Sequence, residues 1–124
     1  MKSPLTVEFT LVSTQGRESQ SGPVVGRTRD VSRDGLCLET NTVMIGRTHI
    51  LGEAMEGDRR LLMVITVPDE ENSLEALGEV IWYGLAPRDS DFRFRAGVLF
   101  TEIGEEGRKR WQDFLTSVRK KKIF

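Results

Sequence analysis

The chain has 124 residues, a length that suits one domain with its own hydrophobic core and leaves no room for two. Its formal net charge is −1. Hydrophobic residues make up 38% of the chain and charged residues 30%, and the longest apolar run is far too short to cross a bilayer. One cysteine and one histidine exclude an intramolecular disulfide and a Cys/His metal site, and without a signal-peptide pattern at the start we expect a cytoplasmic protein that carries no cofactor.

Apolar and polar residues alternate over 5–11, and this period of two predicts a half-buried β-strand. Glycines divide the segment 40–58, in which 49–51 could form a brief strand, and 69–72 has the composition of a hairpin turn. β-like patterns such as the one over 5–11 predict five more strands, over 23–31, 36–39, 60–67, 74–83 and 92–101.

The second predicted strand has an unusual face for a strand with a core to fill. Arg27 and Arg29 alternate with polar or small residues and share their face with Val25 and Val31. We interpret this face as one that leaves the core partway along the strand and meets solvent or an anion.

The hydrophobic period changes from 2 to 3.6 near the end of the chain. Acidic residues at the start of the segment 105–121 and basic residues at its end suit the dipole of a helix. The sequence therefore predicts strands only over 5–101, in an all-β antiparallel barrel or sandwich, and one helix over 105–121 that packs against it. The predicted contact stripe of this helix follows i, i+3, i+4, i+7 spacing and consists of Trp111, Phe114, Leu115 and Val118.

A short motif, Asp-x-Ser-x-x-Gly, joins the second and third predicted strands through Asp30, Ser32 and Gly35. Asp and Ser side chains hydrogen-bond nearby backbone groups, and Gly accepts a positive φ, so the motif alone indicates a tight hairpin. Three arginines surround this turn and raise the alternative of an anion-binding or ligand-binding loop. They are Arg27, Arg29 and Arg33.

Taken in order, several features resemble the PilZ domain family, whose signature includes [Asp/Asn]-x-Ser-x-x-Gly. They are this turn, a Gly-x-Val-x-Trp strand ending at Trp82, a Gly-Val-x-Phe strand ending at Phe100, and the C-terminal helix. The resemblance implies one domain over 1–124, a six-stranded antiparallel barrel closed by the helix. It places Trp82 on a structural strand, where we expect a core role.

Many PilZ domains are receptors for the bacterial second messenger cyclic di-GMP, so the resemblance implies a signalling module that is not an enzyme. Asp30 and Ser32 would hydrogen-bond the guanine and phosphate region of the dinucleotide, and Gly35 would permit the turn. The other expected ligand residues are the three arginines named above. Such a module would act on motility, pili or surface behaviour through a bacterial protein partner that the sequence does not identify.

One feature of ligand-binding family members is missing from this sequence. They carry Arg-x-x-x-Arg just before the first strand, and these guanidiniums grip the phosphates. Before Leu5 the sequence offers only Lys2, and the same spacing from Arg29 to Arg33 straddles the turn. Either the sequence begins downstream of the arginines, or the domain binds the dinucleotide weakly or not at all.

These alternatives leave two hypotheses, a cyclic di-GMP receptor and a nucleotide-independent adaptor of the type that acts in type IV pilus assembly or motility. An enzyme is a distant third, because no nucleophile–base pair, carboxylate pair or metal cluster can be assembled from the spacing. We interpret His49 as an ordinary loop or strand residue and Cys37 as a packing residue. The basic segment 119–122 is interpreted as a solvated terminus, so no nucleic-acid partner is expected.

Overall fold

The structure is a computed structural model that describes residues 4–13, 22–68 and 73–122, with side chains through residue 118. The predicted turn at 69–72 and the basic side chains at 119–122 lie outside the described residues. Neither described helix is long and apolar enough to span a membrane. In chain order the elements are β1 (Thr6–Ser13), β2 (Val24–Ser32), β3 (Gly35–Thr40), β4 (Met44–Ile45), β5 (Thr48–His49), α1 (Ile50–Glu53), β6 (Arg59–Thr66), β7 (Leu74–Leu85), β8 (Phe94–Ile103) and α2 (Glu105–Lys122).

Six of the strands form a closed antiparallel barrel in the order β1-β2-β3-β8-β7-β6. The barrel closes where β6 pairs with β1 along its whole length, from Thr6 opposite Thr66 to Ser13 opposite Arg59. Alternation along each strand directs one set of side chains inward, and this set forms a continuous hydrophobic core. The predicted six-stranded antiparallel barrel with one long C-terminal helix is confirmed.

Helix α2 packs against the barrel through the predicted stripe. Trp111 is fully buried and meets Phe100 of β8 edge-on, with 5.3 Å between ring centroids. Leu115 is also buried, while Phe114 and Val118 are half-buried. Because an aromatic side chain of this size buries a large area, Trp111 is the main anchor of the helix.

The segment between β3 and β6 differs from its prediction. β4 and β5 form a two-residue hairpin whose turn includes Gly46 at φ 60°, and His49 then caps α1, its Nδ1 accepting a hydrogen bond of 2.9 Å from the Gly52 amide. The predicted strand over 49–51 is therefore wrong beyond His49. Ile50 and Leu51 are both fully buried, and a helical turn can bury two consecutive residues where a half-buried strand cannot.

A β-bulge interrupts β2 between Thr28 and Asp30 and leaves Arg29 without a partner in β3. One extra residue reverses the alternation of side chains beyond it. Val31 is consequently buried at 2% exposure, so its predicted place on the arginine face is wrong. Arg27 and Arg29 do share the outward face, each with 40% of its side chain exposed.

A second bulge lies in β7 between Val80 and Trp82, where Ile81 is the extra residue. Val80 is buried, but beyond the bulge the alternation is reversed and Trp82 is 48% exposed on the outside of the barrel. The predicted core role of Trp82 is therefore wrong.

Candidate functional site

The Asp-x-Ser-x-x-Gly motif forms the hairpin between β2 and β3. Ser32 pairs with Gly35, and Arg33 and Asp34 make the two-residue loop. The Ser32 hydroxyl donates to the Gly35 carbonyl at 3.3 Å and so closes the turn from its side chain. The predicted hairpin is confirmed, with the motif's Ser and Gly at its two ends.

Gly35 is needed for a different reason from the one that the sequence indicated. Its φ lies outside the left-handed region, since Gly46 is the glycine with positive φ among the described residues. A Cβ on Gly35 would instead overlap the carbonyl oxygen of Val98 on the neighbouring strand β8. The glycine therefore allows close approach of two backbones, and it holds the turn against β8.

Two further contacts fix the backbone of the turn. The indole Nε1 of Trp111 donates to the Ser32 carbonyl at 2.9 Å, and the Phe100 amide donates to the Asp34 carbonyl at 2.7 Å. Arg108 on α2 also lies 4.0 Å from the Asp34 carboxylate. The turn is thus held by both β8 and α2, which prepares it to present its side chains in one arrangement.

A hollow of about 310 Å³, here called the turn hollow, lies beside this hairpin on the outside of the barrel. One side of the hollow is polar and the rest is apolar, which is the usual character of a small-molecule site. Its lining residues are Asp30, Val31, Ser32, Asp34, Gly35, Leu36, Cys37, Ile81, Trp82, Gly97, Val98 and Leu99.

Trp82 supplies an aromatic surface to the turn hollow. Its indole lies across Gly97 of β8, where any Cβ would overlap the ring. Because the residue is half-exposed, a planar ligand can reach the indole and stack on it. Trp82 was not among the ligand residues expected from the sequence, where its one signal was Gly97, the glycine that pairs with it on the next strand.

Cys37 also lines the turn hollow, and it is half-buried. Burial raises the pKa of its thiol, and the neighbouring carboxylate of Asp30 raises it further. A protonated thiol is a weak nucleophile, so Cys37 contributes apolar surface to the hollow. Within the described residues no group of three His, Cys, Asp or Glu side chains could hold a metal ion.

A second hollow, of about 360 Å³ and here called the arginine hollow, lies farther along β2. Three arginines and three acids line it, so its formal charge is balanced. The complete lining is Pro4, Arg27, Thr28, Arg29, Glu39, Asp89, Ser90, Asp91 and Arg95.

Glu39 is the fixed centre of the arginine hollow. Its side chain is 3% exposed and accepts hydrogen bonds from Arg27 Nε at 3.3 Å, from Arg95 Nε at 2.8 Å and from the Ser90 hydroxyl at 3.3 Å. Burial by itself would raise the pKa of Glu39, but the hydrogen bonds from Arg95 and Arg27 outweigh it and hold the pKa below its ordinary value. Glu39 therefore stays ionised and orients both guanidiniums.

An ion pair joins the two hollows, since Arg29 Nη1 lies 2.6 Å from Asp30 Oδ2. Asp30, Ser32 and Gly35 thus line one hollow, and Arg27 and Arg29 line the adjacent one. Arg33 lines neither hollow; its side chain is 77% exposed and lies 4.0 Å from Asp34. Glu39 and Arg95 also line the arginine hollow and were not among the candidate residues expected from the sequence.

The PilZ domain family model matches residues 3–117, which is nearly the whole chain. No curated protein and no solved structure gives a significant match to the chain.

Proposed function

The chain belongs to the PilZ domain family, and from this premise we propose that it is a receptor for cyclic di-GMP that acts by binding, without catalysis. PilZ domains are in general non-enzymatic modules of cyclic di-GMP signalling, and many of them bind the dinucleotide, so membership supports a signalling role at that general level. The proposal for this chain rests on one observation. Asp30, Ser32 and a half-exposed indole surround the same hollow.

The turn hollow suits a guanine base. A purine stacked on the indole of Trp82 gains on the order of 1–3 kcal/mol, as base–aromatic contacts do elsewhere. Guanine presents N–H donors on its pairing edge, and a carboxylate has about four acceptor positions. Asp30 can therefore accept from the base while it keeps its ion pair with Arg29.

The arginine hollow is the proposed place of the phosphates. Arg27 and Arg29 each keep 40% of the side chain exposed, and the ion pair between Arg29 and Asp30 places this hollow next to the guanine position. Guanidinium groups bind phosphate oxygens through charge-assisted hydrogen bonds. Both arginines already contact acids, so a phosphate has to compete for them.

We propose that these 124 residues bind the dinucleotide weakly and in a salt-sensitive way. Arg27 already contacts Glu39 and Asp91, and Arg29 already contacts Asp30. A phosphate forms charge-assisted hydrogen bonds that contribute about 1.5–3 kcal/mol each, but it gains only the difference between these bonds and the contacts that it replaces. The attraction between exposed arginines and a phosphate also weakens as salt is added, because the Debye length falls as the ionic strength rises and is about 10 Å at 0.1 M.

Calorimetric titration with cyclic di-GMP at low and at physiological ionic strength tests this function. Asp30→Ala and Ser32→Ala should each weaken binding about tenfold or more, because each leaves a ligand group unpaired. The matched controls are Asp113→Ala and Ser117→Ala, two exposed positions on α2 that should leave the affinity unchanged. Equal affinity of site and control variants would contradict the proposed site.

A nucleotide-independent adaptor is the second candidate function. It is favoured by three large apolar side chains that line the turn hollow and remain exposed, since exposed apolar patches often mark protein interaction sites. No binding of the dinucleotide even at low salt would favour this adaptor, with a bacterial motility or pilus protein as partner. The three side chains are Ile81, Trp82 and Leu99.

A further inference from the structure

Arg27 is contacted on several sides by the protein itself. Its Nε faces Glu39 at 3.3 Å, its guanidinium carbon lies 4.6 Å from the centre of the Phe92 ring, and its Nη2 lies 3.7 Å from Asp91 Oδ2. A guanidinium has five N–H donors in a planar fork. The side of the fork that carries Nη2 is therefore the one that Asp91 faces.

The two carboxylates that contact Arg27 differ greatly in burial. The Glu39 side chain is 3% exposed and also holds Arg95 and Ser90, so it is part of the fold. The Asp91 side chain is 84% exposed, and its separation from Arg27 is long for an ion pair. Exposed pairs of this kind are weak, which makes Asp91 the carboxylate that an incoming anion can displace.

The loop 86–93 nevertheless holds Asp91 close to Arg27. On one side of Asp91, the Ser90 hydroxyl donates to Glu39 at 3.3 Å and accepts from the Phe92 amide at 3.1 Å. On the other side, the Arg93 amide donates to the Asn41 side chain at 2.9 Å. These contacts hold the chain on both sides of Asp91, so the residue itself is kept beside Arg27 while its exposed carboxylate can still be displaced.

We propose that Asp91 occupies the side of Arg27 on which a ligand phosphate binds, so that the loop 86–93 is a built-in competitor that lowers the affinity of the arginine hollow for anions. The identity of the ligand rests on the proposed function. The competition itself concerns any phosphate or pyrophosphate group. Replacing Asp91 by a neutral residue changes the balanced formal charge of the arginine hollow to +1. The hydrogen bonds of Glu39 with Arg27, Arg95 and Ser90 are left intact.

The matched pair Asp91→Asn and Asp89→Asn tests this proposal. Both acids line the arginine hollow and both changes remove one charge, but Asp91 is the one that pairs with Arg27. Each variant is titrated by calorimetry with inorganic pyrophosphate and, separately, with cyclic di-GMP at low salt. We expect Asp91→Asn to bind both probes about threefold to fivefold more tightly than wild type, and Asp89→Asn to change affinity by less than about 1.5-fold.

Equal gains in the two variants would reduce the effect to long-range charge and overturn the proposal, as would weaker binding by Asp91→Asn. No pyrophosphate binding by any variant would overturn it too, because Arg27 would then not be an anion site. If Asp91→Asn binds pyrophosphate more tightly than wild type but no variant binds cyclic di-GMP, the role of Asp91 as a competitor is supported and the proposed function is contradicted. If cyclic di-GMP binding requires Asp30 but Asp91→Asn has the affinity of the wild type, the proposed function is supported and the role of Asp91 as a competitor is contradicted.

Discussion

Replacing Trp111 by Phe tests the contact between helix α2 and the Asp-x-Ser-x-x-Gly turn between β2 and β3. The change keeps an aromatic ring in a fully buried position but removes the indole N–H that donates to the Ser32 carbonyl at 2.9 Å. Losing this hydrogen bond costs about 0.5–1.5 kcal/mol. The smaller ring leaves a void that costs about 1 kcal/mol more. We therefore expect Trp111→Phe to lower the free energy of unfolding by about 1.5–2.5 kcal/mol.

Urea denaturation measures this loss, and calorimetric titration with cyclic di-GMP shows whether it reaches the site. Phe114→Leu is the matched control, because Phe114 packs on Trp111 with 5.8 Å between ring centroids and makes no hydrogen bond to the turn. Both variants should be destabilised, but only Trp111→Phe should bind more weakly. Wild-type stability in Trp111→Phe, or equal affinities in the two variants, would show that the helix does not position the turn.

Three other changes give distinct outcomes. Gly35→Ala should lower the free energy of unfolding by about 1–3 kcal/mol in urea titrations, since its Cβ would overlap the Val98 carbonyl; wild-type stability would contradict the close approach. Glu39 has a lowered pKa in the folded state, so its contribution to stability is present above the ordinary pKa of 4.5 and is lost as pH falls below it. Glu39→Gln should therefore flatten the acid side of the stability profile measured by urea denaturation, and an unchanged slope would oppose this. Gly97→Val should displace the indole of Trp82 and shift its fluorescence, whereas an unchanged emission spectrum would show that the indole does not lie on this glycine.

The sequence predicted the barrel because hydrophobic alternation is a local property. The period of two along Leu5 to Leu11 reappears as the buried side of β1, and the helical spacing around Trp111 reappears as the contact face of α2. Alternation fails where a strand gains a residue. Arg29 and Ile81 are the extra residues at the two bulges. Neither type of side chain predicts a bulge from the sequence, because the position of a bulge depends on how the strands pair and curve in the closed barrel.

The part of the candidate site that depends on a local sequence motif could be predicted, and the part that depends on the fold could not. Asp30 and Ser32 belong to a short motif whose spacing can be read directly from the sequence. Trp82 could not be found in this way, because its exposure depends on the bulge beside it. Glu39 and Arg95 meet through the pairing of β3 with β8, across a separation of 56 residues, and only the fold brings them together.

Tryptophan fluorescence gives the most direct test of cyclic di-GMP binding beside the turn with a guanine on Trp82. The chain has two tryptophans, and the fully buried Trp111 remains in Trp82→Phe, so this variant shows the response of Trp111 alone. Titration of the wild-type protein with cyclic di-GMP at low salt should give saturable quenching that disappears in Trp82→Phe and weakens in Ser32→Ala. No quenching in the wild type, or quenching that persists in Trp82→Phe, would contradict this binding mode.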